Sequence, residues 1–332
     1  MGTLHHITRL IARTLVLPAV MLMSSCIRED LSNCGLDVVF RYTYNIVEAD
    51  AFSEEADWVH LYIFDDGGSL IMQQRATDVR GDDGFKMRIP LNTTGEYSLV
   101  AFAGSSGDED FIIPEMTVGD SKEKLTAAVA KNGDGINSER LNSLLIGTID
   151  ANISGLRQTM TIDMMKCTHT VRVILMPIQG GEEINPERYE FSIDDKCGTL
   201  AFDASPLGED LLTYKPCFLE VTSDGTSEQT AAKPVNSAIV AEFSTSRLIK
   251  NFEPRLVIRN SETQTEMMDI NLTWLLTLQE IEEHRTEWSD QEYLDRQDDY
   301  AITFFIDIDT DSWFQSRIIV NGWVISFEDV EL

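Results

Sequence analysis

The sequence predicts an all-β protein built as two tandem antiparallel β-sandwiches with minor helix. Three observations lead there. Leu36, Val38, Phe40, Tyr42 and Tyr44 alternate with Asp37, Arg41, Thr43 and Asn45, the period-two pattern of a strand with one buried face. Short runs of this kind recur along the chain, separated by Gly, Pro, Asn and Asp, which favours hairpin-built sheets over helix-linked parallel ones. Finally, 332 residues with 43% hydrophobic content are enough for two cores.

After the first strand, Trp58 to Phe64 and Ser69 to Gln74 flank Asp65-Asp66-Gly67-Gly68, whose glycines supply the positive φ of a tight hairpin. Phe85 to Leu91 and Tyr97 to Ala103 form a second pair around a polar turn. Residues 104–140 are polar, with a short helix expected over Ser121 to Ala130, capped by Ser121 and exposing Lys122-Glu123-Lys124. Leu144 to Ile149 and Thr159 to Asp163 return to strand character. The second half opens with the alternating run Thr168 to Leu175 and continues through Tyr189–Ile193, Leu200–Phe202, Ala238–Phe243 and Arg255–Ile258. Trp274 to Glu283 reads as a helix with Asn271 or Thr273 as cap, and Tyr300–Asp309 and Arg317–Phe327 are the closing strands. The expected division is 36–163 for the first sandwich and 164–332 for the second.

The amino terminus reads as an export signal. Arg9 and Arg13 make a basic start, and Thr14 to Met23 is an apolar stretch of about ten residues, too short to span a bilayer. Met23-Ser24-Ser25-Cys26 resembles a bacterial lipobox, with Met where Leu is more usual. Small residues before a cysteine suit a peptidase cutting between Ser25 and Cys26, and the Cys26 thiol then takes the lipid. Two or more acyl chains anchor stably, at about 0.8 kcal/mol per buried CH₂. Residues 1–25 are therefore expected to be removed, leaving 26–35 as a lipidated tether. Arg28-Glu29-Asp30 resembles the acidic signal that sends Bacteroidales lipoproteins to the outer face of the outer membrane.

Without residues 1–25 the chain carries 24 basic and 56 acidic residues. That charge repels nucleic acid and anionic headgroups. Cys34, Cys167, Cys197 and Cys217 remain in an exported chain, where disulfides persist. They read equally as disulfide partners, in any of three connectivities, or as buried thiols. No CxxC pair or zinc spacing is present.

No catalytic constellation emerges, and the chain reads as a non-enzyme without cofactor or metal. His60 and His169 sit in strand patterns, and His284 lacks the HExxH order. GxSxG and GxxxxGK[ST] are absent. Asp307, Asp309 and Asp311 alternate, but an EF-hand would need Gly and Glu where Ser312 and Ile318 stand; they read as a solvated strand face.

The carboxy-terminal run Gln291-Glu292-Tyr293-Leu294-Asp295-Arg296, followed by Ile302-Thr303-Phe304-Phe305 and Ile319-Val320-Asn321-Gly322-Trp323, resembles the ending of Bacteroidales fimbrial anchor proteins (FimB-like). Cys26 through Cys34, Val39-Phe40-Arg41-Tyr42, Leu61 to Asp65 and Tyr97 to Gly104 resemble the same family's amino-terminal half. Gly35 departs from the proline usual after its second cysteine. The resemblance implies transthyretin-like sandwiches and an outer-membrane lipoprotein at the base of a surface fimbrium. Its partners would be fimbrillin subunits, held by β-strand exchange or edge pairing, with polymer length limited by the anchor. No proteolytic activation is expected: Arg41 lies inside the first strand and Arg28 beside the lipid, so a cut at either separates body from anchor. The alternative is a surface lipoprotein that binds glycans or host ligands through the same modules. Tyr293 and Leu294 are expected to pack under the last strands, with Asp295 and Arg296 paired locally.

Overall fold

The structure, a computed structural model, describes residues 35–81, 84–91, 93–105, 110–154, 157–178, 184–208, 210–223, 237–278 and 287–325. Strands β1 (Leu36–Arg41), β2 (Trp58–Asp65), β3 (Leu70–Thr77), β4 (Lys86–Ile89) and β5 (Gly95–Gly104) come first, with the one-turn helix α1 (Phe52–Glu55) between β1 and β2. The short strands β6 (Phe111–Ile112), β7 (Thr126–Val129) and β8 (Ile136–Asn137) precede β9 (Leu144–Ile153), β10 (Gln158–Asp163) and β11 (Met165–Lys166). The second half holds β12 (Thr168–Pro177), β13 (Tyr189–Asp195), β14 (Thr199–Ala201), β15 (Leu212–Tyr214), β16 (Phe218–Ser223), β17 (Ser237–Ser246), β18 (Arg255–Asn260) and β19 (Glu266–Asn271). Helices α2 (Leu272–Thr277) and α3 (Asp290–Arg296) lead to β20 (Asp299–Asp307), β21 (Ser312–Val320) and β22 (Trp323–Ile325).

These strands form five sheets among the described residues: β10-β1-β4 (sheet I), β11-β9-β5-β2-β3 (sheet II), β16-β17-β12-β20-β21-β22 (sheet III), β19-β18-β13-β15-β8 (sheet IV) and β14-β7-β6 (sheet V). Sheets I and II enclose one core, with Leu36, Val38 and Phe40 meeting Leu61, Ile63, Leu99 and Ala101. Val171, Val173, Phe243 and Phe304 of sheet III meet Phe191, Ile193, Leu256 and Ile258 of sheet IV in the other. The all-β, two-sandwich expectation holds. Most pairings are antiparallel, while β1–β10, β12–β20 and β15–β8 are parallel.

The central strands of sheet II, β2 and β5, are buried on both faces for most of their length. The outer face of the sheet, carrying Trp58, Tyr62, Phe64, Val100 and Phe102, belongs to the same hydrophobic cluster as the second sandwich. This explains why β2 and β5 read as continuous apolar runs instead of alternating ones. Each fully buried aromatic or aliphatic side chain here contributes about 1.5–3 kcal/mol through burial. Sheets IV and V tie the halves further, because β8 pairs with β15 and β7 with β14. Arg140, from the same stretch, pairs with Glu242 on β17, which Arg172 also holds at 2.7 Å. Where the chain crosses from β10 to β11 it passes directly over β9. A Cβ on Gly147 would lie 2.6 Å from the Asp163 carbonyl and 2.7 Å from Met164 Sδ, so only glycine fits.

Several expectations are corrected. Ser121 to Ala130 is not a helix: a single 3₁₀ turn, Lys122–Lys124, is followed by β7. The alanines that favour helix locally are recruited by pairing with β14 and β6. The closing strand Arg317–Phe327 is two strands joined at Asn321-Gly322, both at positive φ (47° and 88°), the two-residue turn that an Asn-Gly pair favours. Of Trp274–Glu283, the helix is seen over Leu272–Thr277 with the Asn271 side chain accepting from Trp274 N at 3.0 Å; residues 279–286, and His284 with them, lie outside the described residues. Strands β15, β16 and β19 had no clear signal in the sequence. Asp309 and Asp311 lie in a turn, not on a strand face. Asp307 Oδ1 accepts from Asp309 N, and Asp311 accepts from Arg188 and Asn260.

Candidate functional site

The family-motif run Gln291–Arg296 forms most of helix α3. Ser289 caps it, its Oγ accepting from Glu292 N at 3.2 Å, with acids Asp290 and Glu292 in the first turn and Arg296 in the last, the charge order a helix dipole favours. Leu294 is fully buried, and Tyr293 packs edge-on against Tyr300 of β20, as expected. Burial pushes the Tyr293 phenol up to about 12. Asp295 does not pair locally. It receives a two-pronged contact from Arg247, Nε at 2.7 Å and Nη2 at 2.8 Å, just beyond β17. Arg247 Nη1 also donates to the Ala204 carbonyl. Gln291 completes the clip, donating to Leu248 O and Asp295 Oδ1 while accepting from Lys250 N.

Arg296 pairs with Glu292 at 3.0 Å and not with Asp295, and its guanidinium also lies over Trp288 (4.6 Å) and over Tyr44 (4.3 Å). Tyr44 and Glu48 belong to the loop after β1, so the motif helix of the second half grips the first. His169, in β12, donates from Nε2 to Leu294 O at 2.9 Å and stacks on Tyr300. Burial lowers its pKa, and its ring packs between β12 and α3. A neighbouring node joins the halves again: Lys166 contacts Glu55 of α1 at 3.0 Å and Asp298 at 2.5 Å. Burial opposes the Lys166 charge, but Asp298 and Glu55 outweigh it and raise its pKa.

Cys167 and Cys197 are buried free thiols and Cys217 is a half-buried one. Burial pushes Cys167 up to about 12 and Cys197 higher still, so neither is a thiolate nucleophile. Ser25, Cys26 and Cys34 lie outside the described residues. Among those residues no group of three His, Cys, Asp or Glu side chains could hold a metal, and no helix is long and apolar enough to cross a membrane.

Two surface features had no clear signal in the sequence. Strand β16 is the outermost strand of sheet III, paired only with β17 among the described residues. It exposes Phe218 (42%) and Leu219 (46%) on opposite faces. Adjacent apolar residues fit neither a period of two nor one of 3.6, which is why the strand is illegible. The second feature is a groove of about 720 Å³ on the outer face of sheet II. Gln73, Arg75 and Glu115 line it, with Arg75 lying over Trp58; Trp58, Tyr62 and Phe102 are buried beneath.

A model of the fimbrillin-A associated anchor proteins Mfa1 and Mfa2 matches residues 31–329. The chain belongs to this Mfa2 family of fimbrial anchors. Among solved structures, a candidate polysaccharide-binding protein from Bacteroides thetaiotaomicron is 29% identical, covering 89% of this chain and 99% of its own, with a TM-score of 0.76. A candidate adhesin from the same organism is 26% identical, covering 90% and 99%, with a TM-score of 0.78. The fimbrial anchor protein Mfa2 from Porphyromonas gingivalis is 20% identical, covering 88% and 98%, with a TM-score of 0.65, and shares the fold. No curated protein matches the chain. In this Mfa2-family chain the motif run fastens the two halves together from inside, and the exposed features are the β16 edge and the groove.

Proposed function

We propose that this Mfa2-family chain is the membrane-held subunit of a surface fimbrium. The family match over residues 31–329 carries the reading. The signal is cut between Ser25 and Cys26, lipid on Cys26 holds the protein in the outer membrane, and Arg28-Glu29-Asp30 directs it to the outer face. The two sandwiches, 36–163 and 164–332, form the body that receives the polymer. A fimbrillin strand adds to the edge of β16 that is unpaired among the described residues, where main-chain hydrogen bonds give affinity and Phe218 and Leu219 offer apolar seats. A subunit whose amino terminus is tied to lipid cannot be extended on that side, so the anchor also limits length.

Cys26→Ala is expected to move the protein from the membrane to the soluble fraction, with fimbriae shed into the medium. Full retention of the variant in membranes would show that the lipid reading is wrong. Phe218→Lys with Leu219→Lys leaves core side chains in place. It should leave the anchor in the membrane at normal abundance while cell-bound fimbriae fall at least tenfold, the equivalent of about 1.4 kcal/mol of joint affinity. Normal fimbrial retention by that variant sinks the β16 assignment.

A second reading, glycan binding, is favoured by the groove alone. Its polar walls, Gln73, Arg75 and Glu115, can offer hydrogen bonds to sugar hydroxyls above a buried apolar base, as ligand sites combine apolar lining with few convergent polar groups. Glycan-array binding that Arg75→Ala abolishes would support it; no binding to any glycan would remove it.

A further inference from the structure

The register of the first strand determines how the molecule carries tension. β1 runs parallel to β10, with Leu36 opposite Gln158 and Arg41 opposite Asp163. The tether joins β1 at Leu36. The second half lies at the other end of both strands. β10 leads through Met164 into β11 and β12, and Tyr44 and Glu48, just past β1, touch Arg296 of α3. A pull between tether and body therefore acts along the strand axes and slides β1 against β10.

We infer that β1 and β10 form a shear clamp, which resists tension on the amino-terminal tether far better than tension applied at the opposite end of β1. In shear, the ladder bonds share the force and must yield together; peeled from one end, they yield one at a time. Four features strengthen the clamp. Antiparallel β4 holds the other edge of β1 from Leu36 to Val39. The side chains of Leu36, Val38 and Phe40 are buried, so a one-residue slip would turn them to the wrong face. Met164 N donates to Arg41 O at 2.7 Å and extends the ladder past the strand end. At the loaded end, Arg157 braces across the strands, Nε at 3.0 Å and Nη2 at 2.8 Å from Asp37 Oδ2, with Asp37 only 4% exposed. The physiological meaning of the clamp rests on the anchor reading, in which the amino terminus is the fixed end.

The test is single-molecule pulling on purified, non-lipidated protein carrying Cys26→Ser and one carboxy-terminal handle. The second handle is fused ahead of residue 26, or inserted at Val47, a 72% exposed position in the loop after β1. The amino-terminal handle loads β1 in shear and the Val47 handle peels it. A higher rupture force for the amino-terminal handle is expected; equal or lower force overturns the clamp. Forced rupture follows the unfolding rate. Asp37→Asn should therefore speed rupture about tenfold through the amino-terminal handle, because Asn keeps an acceptor but removes the charge that strengthens the Arg157 bonds, and less through Val47. Equal acceleration through both handles overturns the brace. If Asp37→Asn does not fold, the handle comparison decides alone. Neither protein carries lipid, so failure here is separable from retention of Cys26→Ala in membranes.

Discussion

Asp295→Ala is expected to lower the free energy of unfolding by about 3–5 kcal/mol, the usual cost of removing one partner from a buried ion pair. The side chains of Arg247 and Asp295 are 14% and 5% exposed, so the stranded guanidinium keeps its charge away from water with only the Ala204 carbonyl for company. Gln291 loses an acceptor in the same change. Because α3 also carries Leu294 against His169 and Arg296 against Tyr44, the damage should spread to the contact between the halves. Urea unfolding at pH 7 reads the effect. The double replacement Arg247→Met with Asp295→Leu removes both charges and should recover most of the loss, since apolar replacements of buried pairs are often neutral or stabilising. A loss below about 1 kcal/mol for Asp295→Ala would mean that the pair is better solvated than its burial indicates.

The second large effect concerns Asp195. It is 2% exposed, its Oδ1 accepts from Lys196 N at 2.7 Å, and its Oδ2 has no hydrogen-bond partner among the described residues. Burial pushes its carboxyl up to about 6. An acid whose folded pKa exceeds its unfolded value holds its proton more tightly when folded. Stability from this group is therefore full below about pH 4 and is lost as pH rises through 6, a swing of about 3 kcal/mol. Asp195→Asn should remove that swing. The variant should match the wild type near pH 4 and exceed it by roughly 1–3 kcal/mol at pH 8, less whatever its unpaired amide costs. Other carboxylates titrate in both proteins, so the difference between their stability curves isolates Asp195. Parallel curves from pH 4 to 8 would show that the carboxylate is stabilised by a partner.

The sequence reveals much of the fold because strands with one apolar and one polar face write a period of two, as β1 and β12 do. It is less open where a strand is buried on both faces, as β2 and β5 are, and there hairpin glycines supply the boundaries. It misleads at Thr126–Val129, where an alanine-rich stretch with local helical preference is taken as a strand between β6 and β14, the latter more than 70 residues away. Asn321-Gly322 was visible as a turn dipeptide but lay inside a run apolar enough to pass for one strand. The Gln291–Arg296 run stands out by resemblance, and its packing role follows from Tyr293 and Leu294. Its distant partners do not. Nothing local marks Arg247, Tyr44 or His169 as neighbours of one helix, since only the sheet order brings them together. The β16 edge was illegible for a different reason: exposure at the end of a sheet is a property of topology.

The sharing of sheet II between two cores has a consequence for inheritance. A gene cut between residues 163 and 164 would yield a first half whose β7 and β8 have lost their partners β14 and β15, and a second half lacking β7, β8 and Arg140. Neither product should melt as an independent unit, and the intact chain should show one calorimetric transition. Recombination between relatives can then exchange either half only together with its share of the 104–143 excursion. Chimeras that move this excursion with the second half are the ones expected to survive.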